Sequence, residues 1–257
     1  MRAAWLTAGA VATAIALLIS SMLLWRGFAR ARMPTETSQK SITLKAKNVR
    51  IKVGKGRQVS LMVLPGMAGT LLIERSLRWS SDRPAATENW DARSGTLRLD
   101  AACSDDPGGA VCQADYVVFV PPETDIEAST TTGELVVNEV FGNLRLSSVS
   151  GSVRVDGISG SLWARTGTGN VRANRIDSDR ADVEVGAGEV NLLFVNAPTA
   201  VNAVVRTAGN VDVTVPPATY QVTADGVDTD VDVERSAGSS RKIVARAPSG
   251  IVSVCCR

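Results

Sequence analysis

Residues 131–173 read TTGELVVNEVFGNLRLSSVSGSVRVDGISGSLWARTGTGNVRA, and glycine recurs there every nine residues, at Gly133, Gly142, Gly151, Gly160 and Gly169. After each glycine comes one small or polar residue and then a short β-forming run. A fixed period of this kind is the signature of a repeat architecture. Glycine at a constant offset suits a tight corner where backbones approach closely. Strand side chains alternate with period two. The alternation predicts an inward set of Leu135, Val137, Leu144, Leu146, Val153, Val155, Leu162, Ala164, Val171 and Ala173. Val140, Val149, Ile158 and Ile176 add an apolar residue at the next corner, and Val136, Arg145, Arg154, Trp163 and Arg172 point outward.

Nine residues make one strand and one corner, so two units make one closed rung. The rung period continues as Gly188, Gly209 and Gly250, heading GEVNL, GNVDV and GIVSV, with the Asp230 segment expected to fill the place before Gly250. From Gly133 the steps are then 18, 18, 19, 21, 21 and 20. One rung cannot bury its own apolar face, so stacked rungs must share a core. The expected fold is all-β: a single-stranded β-solenoid, or β-helix, of 18–21-residue rungs. An antiparallel sandwich with glycine turns is the competing architecture, and the equal spacing of five glycines argues against it.

The 257 residues are 44% hydrophobic and 21% charged, the composition of a folded chain, and the net charge of +2 implies no strong field for nucleic acid. Ala3 to Trp25 carries no charged residue and has Trp5 and Trp25 near its ends. At ~1.5 Å per residue it can cross a ~30 Å hydrocarbon core as one N-terminal transmembrane helix. A cleaved signal peptide is the other reading, with Ala29-Arg30-Ala31 as a small-x-small site, although the apolar run exceeds the usual signal length. The expected division is 1–32 membrane anchor, 33–40 linker, 41–122 an N-terminal β region, and 123–257 the glycine-punctuated repeats. Within 41–122, Lys47 to Val63 reads as a rung with its own glycine corner, and Ser80 to Asn89 reads as a polar loop.

Arg26, Arg30, Arg32 and Lys40 follow the apolar span while only Arg2 precedes it, a bias that by itself keeps the large domain in the cytoplasm. Large domains translocate largely regardless of charge, so the cysteines carry more weight. Cys103 and Cys112 bracket SDDPGGAV, a strong turn, and a disulfide across it is worth roughly 2.5–3 kcal/mol in the chain-entropy model. Disulfides persist outside the cytosol, which favours an extracytoplasmic domain on a single-pass plasma-membrane protein. Two free cysteines in a cytosolic loop is the alternative. Cys255 and Cys256 admit a vicinal disulfide, a link to another chain or free thiols.

The chain has no histidine, which excludes Ser-His-Asp, Cys-His and histidine-metal sites. No P-loop or dinucleotide fingerprint follows a strand. Asp228, Asp230, Asp232 and Glu234 share a strand face opposite Val227, Val231 and Val233, and a solvated outer face accounts for them better than calcium, since EF-hand spacing is absent. No catalytic residue, metal or cofactor is expected. Right-handed β-helices can carry carbohydrate-cleaving enzymes, which keeps a glycan-active site as the remote alternative. The outward residues give one ligand hypothesis. Arg154 and Arg172, eighteen apart, stack as like charges unless an anion lies between them. Arg145 and Trp163, on the other face, have the same spacing and suit a cation–π pair. These four residues are candidates for binding an anionic glycan or lipid headgroup, against the plainer reading of a solvated face with one exposed Trp.

The segments from TTGELVV to PSGIVSV resemble the bacterial putative-adhesin family of β-strand-repeat domains of unknown function, over about Ile42 to Val254. The order of a membrane segment, an ERSLRW strand (Glu74 to Trp79), a cysteine pair and the strand Tyr116-Val117-Val118-Phe119-Val120-Pro121 is similar to actinobacterial members. The resemblance implies a β-solenoid on the outer side of the plasma membrane with no established catalytic residues. The expected function is that of a non-catalytic, membrane-tethered surface module that contacts envelope polymer, another cell or another protein, with envelope glycan or a membrane protein as the expected partner. A regulatory partner of a membrane envelope-stress sensor is the alternative function. Solenoid ends need capping. The N-terminal β region is expected to cover one end, and the C-terminal rung is expected to stay open or self-associate.

Overall fold

The computed structural model describes residues 13–26, 33–54, 59–102 and 111–256. Strands β1 (Thr35–Thr43), β2 (Asn48–Val53), β3 (Val59–Pro65), β4 (Thr70–Trp79), β5 (Ala85–Asp91), β6 (Thr96–Ala102) and β7 (Cys112–Val120) come first. Through the glycine-rich stretch run β8 (Asp125–Thr132), β9 (Leu135–Asn138), β10 (Leu144–Ser150), β11 (Val153–Ile158), β12 (Leu162–Thr168) and β13 (Val171–Ile176). After it come β14 (Arg180–Ala187), β15 (Val190–Phe194), β16 (Ala200–Val205), β17 (Val211–Val215), β18 (Gln221–Asp232) and β19 (Lys242–Cys256). The fold is all-β.

Alternate strands fall on two parallel ladders. In the first, β8, β10, β12, β14 and β16 pair in that order and end on the leading half of β19. In the second, β9, β11, β13, β15 and β17 do the same and end on its trailing half. The register reproduces the sequence period: Leu144 lies beside Leu162, and Val153 beside Val171. The chain thus changes ladder at each corner and returns one strand spacing further along. The ten residues of the inward set are all buried, in one core that extends from Leu44 to Val254.

The corner glycines stack in a column. A Cβ on Gly169 would lie 2.6 Å from the carbonyl oxygen of Gly151, and Cβ atoms on Gly151, Gly188, Gly209 and Gly250 would likewise strike the carbonyl of the glycine one rung before. Gly188 also sits at φ 137°, which side chains rarely adopt. The residue after the glycine then ties its corner to the next. Asn143 donates through N and Nδ2 to Asp125 Oδ1 at 2.7 and 3.0 Å, and its own Oδ1 accepts from Ser161 N and Oγ at 3.1 and 2.6 Å. Asn170 and Asn210 repeat the accepting half of the device: Asn170 Oδ1 accepts from Glu189 N and Asn210 Oδ1 from Ile251 N, both at 2.9 Å. Corner donors are satisfied this way.

The two corners of a rung differ, which corrects one expectation. Val140, Ile158 and Ile176 are buried, but Val149 is 64% exposed. At its corner the inward alternation Leu144, Leu146 runs on to Ser148, and Thr130 and Thr166 occupy the equivalent places. Thr166 Oγ1 donates toward the carbonyls of Gly151 and Thr168 (3.0 and 3.1 Å), so a buried hydroxyl serves where carbonyls turn inward. On the two rungs after Thr166 the same column becomes Val185 and then Val205.

At both ends the order of rungs departs from the order of the chain. The rung of β2 and β3 lies between β6 and β7 on one side and β8 and β9 on the other. The first β region and the repeats therefore share one stack. At the far end, β19 lies against β16 and β17, and β18 lies outside it. The Asp230 segment thus does not precede the Gly250 rung, and the C-terminal rung is inside the stack. The edges of β6 and β7 are covered by antiparallel strands: β5 on β6, and β4 on β7 with β1 beyond. Arg75 joins these covering strands, holding Glu88 of β5 at 2.8 Å and Glu36 of β1 at 3.3 Å, while Arg83 also holds Glu36 at 2.7 Å. Two further expectations change here. Residues 35–40, read as linker, belong to β1, and much of the expected polar loop is β5. Both strands are polar because they cover an edge and have one face in water.

Residues 13–26 form a helix whose apolar side chains are exposed. Residues 3–12 of the expected membrane span lie outside the described residues. Among the described residues no helix is long and apolar enough to cross a membrane.

Gly188→Ala is expected to lower the unfolding free energy by about 1–3 kcal/mol, since strain and a backbone clash combine. Gly238→Ala, whose Cβ meets nothing nearer than Ser236 Oγ at 4.0 Å, should stay within about 0.5 kcal/mol of the parent. Urea denaturation of both variants checks the contrast.

Candidate functional site

On the first ladder, one outward position per rung forms a row. Register places Arg50 beside Glu127, then Arg145, Trp163, Asp182 and Asn202. Parallel pairing sets these side chains at intervals of ~4.8 Å. Arg50 Nε pairs with Glu127 at 2.9 Å. The Arg145 guanidinium lies over the Trp163 ring, 3.8 Å from its centroid, and that of Arg165 is 4.7 Å from the same centroid. Arg165 is fixed by Asp182 at 2.7 Å and Glu184 at 3.3 Å, and Glu184 also pairs closely with Arg206. Asn202 Nδ2 donates to Asp182 Oδ1 at 2.7 Å.

A shallow hollow lies on each side of the Trp163 ring. One, of about 360 Å³, is lined by Arg50, Asp125, Glu127, Asn143, Arg145 and Ser161 among others. The second, of about 470 Å³, is lined by Arg180, Asp182, Asn202, Lys242 and Val244 among others. The row therefore offers an aromatic ring, cations, carboxylates and an amide along one strip. Glu184 lies beside the row, in register with Arg165. The Arg206 hydrogen bond, helped by the charge of Arg165, keeps the Glu184 carboxyl below its ordinary range. A carboxyl held low is a poor proton donor at neutral pH.

Arg154 and Arg172 stand on the second ladder, side by side in register. The four sequence candidates thus occupy two ladders and do not form one face. Arg154 turns to Glu134 at 2.5 Å, which relieves the like-charge stack. Arg172 is exposed and has no ion pair among the described residues. A second cluster on this ladder was not foreseen. Arg175, in the left-handed region at φ 49°, crosses Gly157 to reach Asp156 at 2.7 Å and Glu139 at 3.5 Å. A Cβ on Gly157 would lie 3.2 Å from Arg175 Nη2, so the glycine leaves the crossing open. The signal was present in the sequence as Glu139, Gly157 and Arg175, eighteen apart.

Cys112 begins β7 opposite Trp79, and Cys103 lies outside the described residues. Cys255 and Cys256 are free thiols, the first half-buried and the second exposed. Among the described residues no group of three or more potential ligands could hold a metal ion.

No protein-family model matches the chain, and no curated protein does. Solved structures are similar at low identity. A "putative cell adhesion protein" of Clostridium sporogenes is 14% identical, with 86% of this chain and 100% of that one covered and a TM-score of 0.39. "Putative adhesin" structures of Parabacteroides distasonis and Parabacteroides merdae are 12% and 11% identical, each covering 85% of this chain and 97% and 96% of their own, with TM-scores of 0.31. No residue role is carried across from them.

The ion pairs set a pH dependence. Hydrogen bonds from Arg206 and Arg175 hold Glu184 and Asp156 below their ordinary values. A carboxyl depressed in the folded state adds stability above its unfolded pKa and loses it as pH falls through the folded pKa. The melting temperature should be flat from about pH 7 to 5 and fall below about pH 4.5. Arg175→Met with Arg206→Met should lower the plateau and flatten the fall, as read by circular dichroism melts.

Proposed function

We propose that the chain is a non-catalytic, adhesin-like module that contacts envelope polymer through the Trp163 row of the first ladder. The observation that carries this reading is the Arg145–Trp163 stack between two hollows, on a row whose polar groups recur at the strand spacing. A polymer with regularly repeated hydroxyl and charged groups can meet such a row at several points, and weak contacts at several points add to useful avidity. In this reading the two ladders are opposite sides of one β-solenoid. Its anchor is the uncharged stretch 3–25, of which the described part is helical, and the module stands outside the plasma membrane.

The full chain in detergent should be retained by polysaccharide prepared from its own envelope. Trp163→Ala with Arg145→Ala should weaken retention at least tenfold, a loss of about 1.4 kcal/mol, while Arg172→Ala on the other ladder should leave it unchanged. Equal retention of all three proteins would remove the row from the binding role. The outer location carries its own check: peptide mapping without reductant should yield a Cys103–Cys112 linked peptide from protein made in its native cell, and two free thiols there would return the domain to the cytoplasm.

A further inference from the structure

The stack is finished differently at its two ends. The edges of β6 and β7 are sealed by β5, β4 and β1. Among the described residues the edge of β18 is bare: its pairing along Gln221–Asp232 is to β19 alone, with an isolated bridge from Tyr220 to Arg235 just before its start, which leaves the outer row of N–H and C=O groups along Gln221–Asp232 without a strand. Such an edge is a template for one more strand.

The chemistry of this edge says what fits it. Along the trailing half of β18, Asp228, Asp230 and Asp232 lie beside Ile251, Ser253 and Cys255, so no cation on β19 answers them. None of these three carboxylates, nor Glu234 beyond them, holds an ion pair among the described residues. The alternate residues Val231 and Val233 pack against the core and are only partly buried, since no rung of the described residues lies above them. A strand added here would set every second side chain beside the acidic row and the others over the uncovered end of the core.

We propose that the open edge of β18 is the docking site for an extended, basic segment of a partner protein, added as a further parallel or antiparallel strand with Lys or Arg alternating with apolar residues. Backbone hydrogen bonds hold the segment, and the alternation of charge and apolar contact selects it. A second copy of the chain is a poor occupant, because two β18 edges meeting about a two-fold axis set acid against acid. The acidic row thus keeps copies apart while it admits a basic strand. This inference is independent of the Trp163 row, which lies on the first ladder.

The test is fluorescence anisotropy of a labelled ten-residue peptide alternating lysine and valine, titrated with the full chain in detergent. Saturable binding is expected, with none for a peptide alternating glutamate and valine. Asp228→Asn, Asp230→Asn and Asp232→Asn together should weaken binding at least tenfold with an unchanged melting temperature. The lysine–valine peptide N-methylated on alternate residues should weaken at least as much against the unaltered chain. Absence of binding would overturn the proposal. So would binding insensitive to N-methylation, which would reduce the edge to a charged surface. Light scattering that shows the unaltered chain pairing through this edge, uncompeted by peptide, would assign it to a second copy instead.

Discussion

The close approach of one corner backbone to the carbonyl of the corner before it is the constraint on which the stack depends. At Gly151, Gly169, Gly188, Gly209 and Gly250 a Cβ has no room. Any other residue would push two rungs apart, and a displaced corner would break the register of both ladders at once. Glycine is therefore required once per rung on this corner, and the spacing of strands in space is written as a spacing of glycines along the chain. Residues after the glycine can vary among Glu, Ser, Asn and Ile because their task is only to meet the next corner. The strands can vary more widely still, provided that every second side chain is apolar and of moderate volume, or a hydroxyl at the Ser148 corner.

The repeats were legible for that reason, and so was the stacking of Arg145 on Trp163, which needs only a step of eighteen residues. What escaped the sequence depends on distance along the chain. The places of β2, β3 and β19 are set by which exposed edge each meets, and no local pattern records that choice. Strand β5 escaped because ENWD has little of the composition of a buried strand; it forms because the edge of β6 lies next to it with hydrogen-bonding groups to satisfy. Val149 was misjudged because a nine-residue period treats both corners of a rung as equivalent. The true repeat is eighteen, with one corner lined by Val and Ile and the other by Ser and Thr. Around Trp163, the fixing of Arg165 by Asp182 and Glu184 was illegible, since a guanidinium reaches diagonally across rungs and alternation alone does not specify that reach.

The two ladders have different surfaces although the same strands and corners build them. On the first, charges of opposite sign alternate from rung to rung and neutralise one another around an aromatic ring. On the second, the outward row runs from Arg154 and Arg172 through Asn191 to Asp212, then past Ser253 to Asp230. The row thus passes from cationic to acidic residues toward the β18 end, and burial raises the Asp212 carboxyl above its ordinary value. Each ladder is a one-dimensional surface on which a substitution alters one rung and leaves its neighbours in register. Such a scaffold lets surface chemistry vary without disturbing the core.

The placing of β19 between β17 and β18 bears on how the molecule is put together. A chain emerging amino end first presents β18 while the strand that will separate it from β16 and β17 does not yet exist. Either β18 waits unpaired, or it rests temporarily on β16 and β17 and is later displaced. Assembly in strict order of synthesis is therefore excluded at this end, as it is at the other, where β2 and β3 acquire one neighbour from β6 and β7 and the opposite one from β8 and β9. A chain halted before β19 would hold nearly all of its strands and still lack the piece that joins the outermost strand to the rest, so completion of the stack is a late and discrete event in the life of the protein.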